Sequence, residues 1–596
     1  MTRLLQHIIT RAVLLFTEHW PALGAALVTT LIVSGPVIAF PFVAGEAYRG
    51  INISRYGDDE HYYMTRMNEA LAGHALGQPF LREGKDEQNA IFSYVEPALA
   101  LPLWALGLAE NMNAAAYVNI LNGVGVFAVV LLMYAFTLRL TNNRFISVGA
   151  ALFAVLGYSI IETKSLFFSG TNIYGRSFFP FASSVPFFAF LIALYDSLVS
   201  ERRYAWVVAG VLAGLLMYAY FYAWTFAYAM LLALGVIFLL LGDWRSLLTV
   251  CRAGILGVAL GAYNLMELFR FQTSPESVTV SFFQAHTLGR AAVMSKIGLG
   301  TISLAAVHTY LRERDRTTYF VWALIAAGWI ALNQQLVSGR IVQYGHYYWY
   351  FIVPLSVFIG SYFFARIFPQ RLHAYFAAVL VALALFAGVG QQYRSFLAQY
   401  PAKLSEQRYA PVLAVLNEDQ DGVVLTAASG ETDVFLATIY TPHDLYWIPA
   451  ASIYAYPEGR LQEALELHLY LNKDARKDPV GYLERALAKG VSAQNTYVNL
   501  YIDLEGLRSG HDYYGYQRIL KAGEVSFGGL RERLMKEIVS DYETRFRDPE
   551  RLRTLLKERN VRYVLWDREN YPEWDLSVLG HIEELVSSDG LVLYRL

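Results

Sequence analysis

The chain has 596 residues, of which 55% are hydrophobic, 15% aromatic and only 16% charged, with a formal net charge of −2. Its mean hydropathy is positive, which is typical of membrane proteins and excludes an ordinary soluble domain, and the near-neutral charge gives no basic field for nucleic acid. A single cysteine, Cys251, excludes an intramolecular disulfide and multi-cysteine zinc sites.

Long apolar runs predict eleven transmembrane helices, because a hydrocarbon core of roughly 30 Å needs about 20 apolar residues per helix. The first run follows Arg3 and Arg11 without a small-residue cleavage site, so we interpret it as a retained helix. A hairpin at 204–241, with its turn at residues 220–224, is needed to keep the parity of the spans. The runs cover about 21–43, 113–138, 145–162, 178–199, 204–221, 223–241, 253–269, 291–310, 317–337, 347–365 and 373–390.

Arginine placement predicts the orientation, since short cytoplasmic loops carry an excess of Lys and Arg. Alternate connections hold at least two arginines each, whereas the intervening short loops hold none or isolated cations. We therefore expect a multi-pass membrane protein with a cytoplasmic N-terminus. The arginine-bearing connections contain Arg139 with Arg144, Arg202 with Arg203, Arg245 with Arg252, Arg312 with Arg314 and Arg316, and Arg366 with Arg371.

Two segments then lie on the other, periplasmic, extracellular or lumenal side. A first outer loop, about 44–112, contains an amphipathic helix at 58–74 and a proline-broken apolar segment at 94–108, which we expect to lie on the membrane surface. Residues 392–596 form a predicted α/β domain after the transmembrane domain 1–391. Its expected strands are 422–427, 561–567 and 591–594, and its expected helices are 459–472, 479–489 and 528–559, the last broken near 548–549.

Three consecutive acids, Asp58, Asp59 and Glu60, stand at the start of the first loop helix and are followed by Tyr63. Acids at a helix N-terminus complement its dipole, which is the structural alternative, but one acid would serve that purpose. A carboxylate near an acceptor hydroxyl can act as general base while the oxygen displaces a phosphate from an anomeric carbon, with inversion. Hydrolysis by two carboxylates on opposite faces of a sugar is less favoured by adjacent residues.

A leaving phosphate requires cations, and isolated ones occur in the outer loops. Arginine matches phosphate oxygens with its planar fork, although snorkelling to lipid head groups is the alternative for any one of them. Arg176 and Arg340 are the strongest candidates, because each lies among Gly, Ser and aromatic residues. The further phosphate-binding candidates are Lys164, His286, Arg290 and His346, with an interfacial aromatic belt after His346.

These features resemble the GT-C superfamily of integral-membrane glycosyltransferases, which use polyprenyl-phosphate-linked sugars. The likeness depends on Asp59-Glu60 in the first outer loop, on two surface helices there, and on about eleven spans before a terminal extracytoplasmic domain. Protein O-mannosyltransferases and lipid A aminoarabinose transferases look similar in this acidic pair. The resemblance implies that Asp59 is the catalytic residue, which acts as general base or positions the acceptor, with Glu60 beside it, whereas Asp58 has no assigned counterpart.

The chain departs from the oligosaccharyltransferases of that superfamily, because it lacks a Trp-Trp-Asp motif and a second-loop acidic pair. This departure argues against transfer of whole oligosaccharides to asparagine and weakens any requirement for a metal. We expect no required cofactor, and a divalent metal is not indicated. The expected partners are a polyprenyl-phosphate-linked sugar donor, a lipid, glycan or protein acceptor and membrane lipids, with no nucleic acid. A transporter or flippase of lipid-linked glycans is the alternative, and a scaffolding protein is the third hypothesis.

Overall fold

The computed structural model describes the chain apart from residues 1, 54–58, 75–76, 88–93, 273–286, 312–313, 420, 427–433, 455, 458, 489–529 and 547–548. At some further positions, including 59 and 340, the backbone is described and the side chain is not.

All eleven predicted spans fall on helices. Among the described residues, seven helices are long and apolar enough to cross a membrane, or eight if a pair bent by 47° near Ser34 counts as one span. The three remaining predicted spans fall on helices shorter than 18 residues. The helices of this bundle are α1 (Thr2–Val33), α2 (Gly35–Ala44), α5 (Ala114–Thr141), α6 (Arg144–Leu156), α7 (Tyr158–Glu162), α8 (Phe181–Leu198), α9 (Ala205–Ala219), α10 (Phe221–Leu241), α11 (Trp244–Gln272), α12 (Lys296–Leu311), α13 (Arg316–Leu332), α14 (Val353–Ile367) and α15 (His373–Glu406), while α3 (Asp59–Ala72) and α4 (Val95–Ala105) lie in the first loop.

The predicted cytoplasmic connections meet at one end of the bundle. Asp196 at the end of α8 accepts hydrogen bonds from Arg139 at 2.9 Å and from Arg202 at 3.0 Å. Arg316 at the start of α13 lies 3.5 Å from Asp243, which follows α10. Further ion pairs at this end join Arg144 with Glu18, Arg245 with Glu201, Arg316 with Glu201 and Arg366 with Asp315. The connections therefore share one side, and the assignment of that side to the cytoplasm stays a prediction.

The predicted hairpin is present as α9 and α10. Only Tyr220, in an extended conformation, separates the two helices. Arg245 and Glu201, which lie just outside the opposite ends of this pair in sequence, approach to 3.5 Å. The two helices consequently run antiparallel, with Tyr220 at the end of the bundle remote from the arginines.

Close packing of α5 on α8 depends on glycine. A Cβ built on Gly125 would overlap the ring of Phe181, the first residue of α8, so only glycine allows this approach. Further along the same helices, the buried Phe136 and Phe188 pack against each other and against Phe358, tilted or edge to face, with ring centroids 5.8–6.2 Å apart. This aromatic core fixes the helices that carry the outer loops.

The first loop forms the two predicted helices, α3 and α4, and its position on a membrane surface is untested. Its α3 packs against the C-terminal domain as well as α4 and α5. Thr65 hydrogen bonds to Thr438 at 2.9 Å, and Asn68 donates to the carbonyls of Thr438 and Thr441 at 2.9 and 3.1 Å. The loop is thus held between the bundle and the C-terminal domain.

The C-terminal domain is α/β, as predicted. A two-stranded ribbon in the outer loops is formed by β1 (Thr287–Leu288) and β2 (Arg340–Ile341), and the elements of the C-terminal domain are β3 (Val423–Thr426), β4 (Asp444–Leu445), β5 (Val561–Asp567), β6 (Glu583–Ser588), β7 (Leu591–Arg595), α16 (Ala410–Leu416), α17 (Phe435–Tyr440), α18 (Arg460–Leu471), α19 (Lys473–Lys477), α20 (Pro479–Ala488), α21 (Leu530–Phe546) and α22 (Pro549–Glu558). The five strands of the domain form a sheet of order β4-β3-β5-β7-β6, in which β3 runs parallel to β4 and β5, and β7 runs antiparallel to β5 and β6. The three predicted strands and all three helical segments are present, and the 34-residue α15 continues unbroken across 391–392.

Candidate functional site

Two of the three predicted acids, Asp59 and Glu60, stand at the start of α3. Asp58 lies outside the described residues, and Asp59 is the first helical residue, although its side chain is not described. Glu60 is completely buried, with 0% of its surface exposed. A buried carboxylate needs a partner of opposite charge or a set of hydrogen bonds, so its surroundings determine what it does.

Glu60 is paired with Arg176, which was one of the two strongest cation candidates. The Arg176 Nε lies 3.4 Å from Glu60 Oε1, and its Nη1 donates to the Tyr350 hydroxyl at 2.8 Å. Arg176 is only 3% exposed and follows the short 3₁₀ turn Ile173–Gly175. The structure therefore brings together three segments that are far apart in sequence: the first loop, the loop before α8, and the start of the span that ends in α14.

His346 lies in an aromatic cluster on the same side of the bundle. Its Nδ1 hydrogen bonds to the Tyr220 hydroxyl, and its ring stacks on Tyr222 with centroids 4.6 Å apart. The Tyr350 ring is 5.7 Å from the imidazole. Around His346, aromatic side chains that were predicted to form an interfacial belt therefore pack against other side chains of the protein. Tyr350 contacts both His346 and Arg176.

Tyr63 extends the aromatic cluster towards α3. Its ring is 5.4 Å from Phe179, which stacks on Tyr220 at 4.6 Å. Phe178 has a positive φ of 59°, an uncommon conformation for a bulky residue that often accompanies functional sites. The loop after Arg176 is therefore held in a strained conformation between α3 and α10.

The other candidate cations have different surroundings. Lys164 is exposed, and Arg290 donates to the carbonyls of Leu336 and Val337 at 2.6 and 3.3 Å, which satisfies the end of the short helix Gln335–Ser338. His286 lies outside the described residues. The backbone of Arg340 pairs with Leu288 in the β1–β2 ribbon, and its side chain is not described. Arg176 and His346 are consequently the candidates that the described side chains bring close together.

Sequence reasoning missed a second buried ion pair on α3. Arg66 and Glu96 are 5% and 0% exposed, with Nε and Oε1 3.1 Å apart. Tyr62 packs beside Arg66 and stacks on Tyr454 of the C-terminal domain at 5.6 Å; burial, partly opposed by the Arg66 charge, raises the pKa of Tyr62 to about 12. The sequence signal for this pair was Glu96, which is the lone acid inside the apolar segment 94–108.

A third charged cluster joins the first loop to β4. Lys85 Nζ lies 2.7 Å from Glu69 and 2.6 Å from Asp444. Burial raises the pKa of both carboxyls, and the Lys85 ammonium opposes that rise. The lysine therefore neutralises two partly buried acids and fixes the C-terminal domain against the loop that carries Asp59.

Among the residues that the structure describes, no group of three His, Cys, Asp or Glu side chains is placed to hold a metal ion. The fold and this site define a multi-pass integral membrane protein in which a buried carboxylate–guanidinium pair lies between the helical bundle and a C-terminal α/β domain.

No protein-family model matches the chain, and no curated protein matches it by sequence. The chain is similar to solved structures of the archaeal oligosaccharyltransferase AglB from Archaeoglobus fulgidus. The complex with an inhibitory peptide and a dolichol-phosphate is 13% identical, with a TM-score of 0.46 over 93% of this chain and 70% of that one. The apo form is 12% identical, with a TM-score of 0.47 and coverage of 93% and 70%. The form tethered to an acceptor peptide with the NVT sequon is 12% identical, with a TM-score of 0.47 and coverage of 96% and 73%.

Proposed function

We propose that this protein is an inverting glycosyltransferase that moves a sugar from a polyprenyl-phosphate donor to an acceptor hydroxyl, with Asp59 as general base. The observation that carries the proposal is that Asp59 is the first residue of α3 and immediately precedes Glu60, which forms a buried pair with Arg176. The proposal assigns the base to Asp59 and the fixed cation to Arg176.

The buried pair separates the roles of the two helical acids. Glu60 is the ion-pair partner of Arg176, so taking a proton from an incoming acceptor would remove its charge from beside a buried guanidinium. We therefore assign Glu60 as a positioning residue for Arg176 and leave proton removal to Asp59. Deprotonation of the acceptor hydroxyl accompanies its attack on the anomeric carbon, while the bond to the phosphate oxygen breaks on the opposite face.

The departing polyprenyl phosphate gains negative charge, which a fixed guanidinium stabilises without reorganising. Arg176 is held by Glu60 on one side and by Tyr350 on the other, and Tyr350 also contacts His346. We propose that Arg176 faces the leaving phosphate and that His346 supports this arrangement through the aromatic cluster. No metal or organic cofactor is required by this scheme, because the cationic side chain supplies the charge.

The test is Asp59→Asn in the purified full-length protein, assayed with a panel of radiolabelled dolichyl- and undecaprenyl-phosphate sugars and native membranes as acceptor. We expect the transfer rate to fall by about 10²–10⁴-fold, the usual contribution of a general base, with donor binding retained. Glu46→Gln is the matched control, because Glu46 is an exposed acid near the beginning of the same loop. Transfer at the wild-type rate by the Asn variant refutes the assignment, and a product with retained anomeric configuration refutes direct displacement.

A further inference from the structure

The C-terminal end of α15 contacts the first loop on both sides of its acids. Lys403 and Glu406 belong to the last turn of the helix, and Gln407 follows it directly. This spacing places the three side chains on one face, where they are 1%, 0% and 3% exposed. Charged and polar groups buried this deeply need fixed partners, so this face restrains the segments that it contacts.

Two of these side chains hold the chain that precedes the acids. Gln407 Oε1 accepts hydrogen bonds from the backbone N–H groups of Arg49 at 2.9 Å and Ile51 at 3.3 Å. Its Nε2 donates to the Ile51 carbonyl at 2.8 Å, and Lys403 donates to the carbonyl of Ile53. Main-chain atoms of this part of the first loop are therefore attached to the end of α15.

The third side chain, Glu406, faces the residue that follows the acids. His61 Nε2 lies 3.6 Å from Glu406 Oε1, and the two side chains are 1% and 0% exposed. Neither ring nitrogen of His61 has a hydrogen-bond partner within the described part of the chain, so this contact is electrostatic. An imidazole presents an N–H group or a positive charge to a carboxylate. Displacement of His61 would take this partner from a buried carboxylate, so the pair restrains the start of α3.

Three consecutive residues of α3 make contacts in three directions, because successive residues of an α-helix are about 100° apart around its axis. Glu60 pairs with the loop before α8, His61 contacts α15, and Tyr62 stacks on the C-terminal domain. These contacts together oppose rotation of the first turn about its own axis. Asp59 belongs to the same turn, so its direction out of the helix is set by the same contacts.

We propose that Glu406 is a positioning residue for Asp59 and acts through His61. The restraint on α3 depends on the contacts alone, whereas its catalytic consequence rests on the proposed function, in which Asp59 is the general base. A misplacement of about 1 Å can slow catalysis by about 10²-fold. Loss of the pair should therefore lower kcat and leave the KM for the donor unchanged.

The first experiment measures the restraint without any substrate. Backbone hydrogen exchange is followed by mass spectrometry in the full-length protein, with Glu406→Gln, which keeps the shape of the side chain and removes its charge. We expect exchange of residues 59–66 to become at least about tenfold faster, because a broken buried pair makes local opening easier. Unchanged exchange at 59–66 overturns the proposal, and so does an equal increase at 460–471 in the C-terminal domain. Glu418→Gln, at an exposed acid beyond α15, is the matched control.

The second experiment exchanges the partners. The single variants Glu406→Gln and His61→Gln should each lower kcat by about 10–100-fold in the transfer assay used for Asp59→Asn. The double variant His61→Glu, Glu406→His keeps both groups and should return kcat and exchange to within about threefold of the wild type. A role in packing alone would not be rescued in this way, so a folded double variant without rescue overturns the proposal.

A double-mutant cycle of the two glutamine variants decides the question if the exchanged pair fails to fold. Losses in kcat that multiply show independent side chains and overturn the proposal, whereas a double variant no slower than either single one supports it. Faster exchange with unchanged kcat in Glu406→Gln overturns the positioning role. Transfer by Asp59→Asn at the wild-type rate instead refutes the proposed function, and the exchange measurements still test the restraint on α3.

Discussion

Glu60→Gln tests how strongly the buried pair holds the candidate site. The substitution keeps the shape of the side chain and removes its charge, which leaves the Arg176 guanidinium buried beside a neutral amide. For charges 3.4 Å apart, an effective dielectric constant of about 20 gives an attraction of about 5 kcal/mol, and the desolvation of both groups opposes it. Removal of one partner should therefore lower the free energy of unfolding by about 3–5 kcal/mol.

The assay is a double-mutant cycle with Arg176→Met, measured by SDS-induced unfolding in mixed micelles. We expect the double variant to be about 1–3 kcal/mol more stable than the sum of the two single losses predicts, because it buries no unpaired charge. Glu46→Gln, at an exposed position, should change the free energy by no more than about 0.5 kcal/mol. Additivity of Glu60→Gln and Arg176→Met within that margin would refute the reasoning, since independent side chains cannot position each other.

Two further predictions concern the C-terminal domain. Lys85→Met removes the cation between Glu69 and Asp444, so we expect faster limited proteolysis between the first loop and β4; unchanged cleavage contradicts the docking role. Burial, opposed by Arg545, raises the pKa of Glu466 from 4.5 to about 7. The folded state therefore holds this proton more tightly, and its stabilising effect is complete below about pH 4.5 and is lost as the pH rises to about 7. Glu466→Gln should reduce this decline in pH-dependent thermal unfolding; an unchanged slope assigns it to other groups.

The bundle is well predicted by sequence because the bilayer imposes a long apolar run on each span. Short helices were found for the same reason, since 205–219 remains apolar throughout although it has only 15 residues. The sheet was predicted only in part. The strands β3, β5 and β7 are buried and apolar, whereas β6 is an edge strand of mostly polar residues and β4 has only two residues, so neither leaves a hydrophobic pattern.

For the candidate site, the sequence predicted which residues matter but not which of them are in contact. The sequence indicated that the acids at 58–60 mattered and that Arg176 was a strong cation, but the two segments are 116 residues apart along the chain. No local pattern distinguishes Arg176, which is buried against Glu60, from Arg290, which donates to backbone carbonyls. Long-range pairing decides the role of each cation, and single-sequence patterns carry little information about it.

Because α15 is one continuous helix, it fixes the rotation of the chain that follows it relative to the bundle. Each residue of an α-helix turns the chain by about 100° and advances it by about 1.5 Å, so the 34 residues of α15 form a rod of about 51 Å. One alanine inserted midway would rotate everything beyond it by more than a quarter turn. The contacts of Lys403 with the first loop and of Tyr454 with Tyr62 would then lose their alignment together. A change of one residue in the length of α15 should therefore disturb contacts on both sides of the first loop at once.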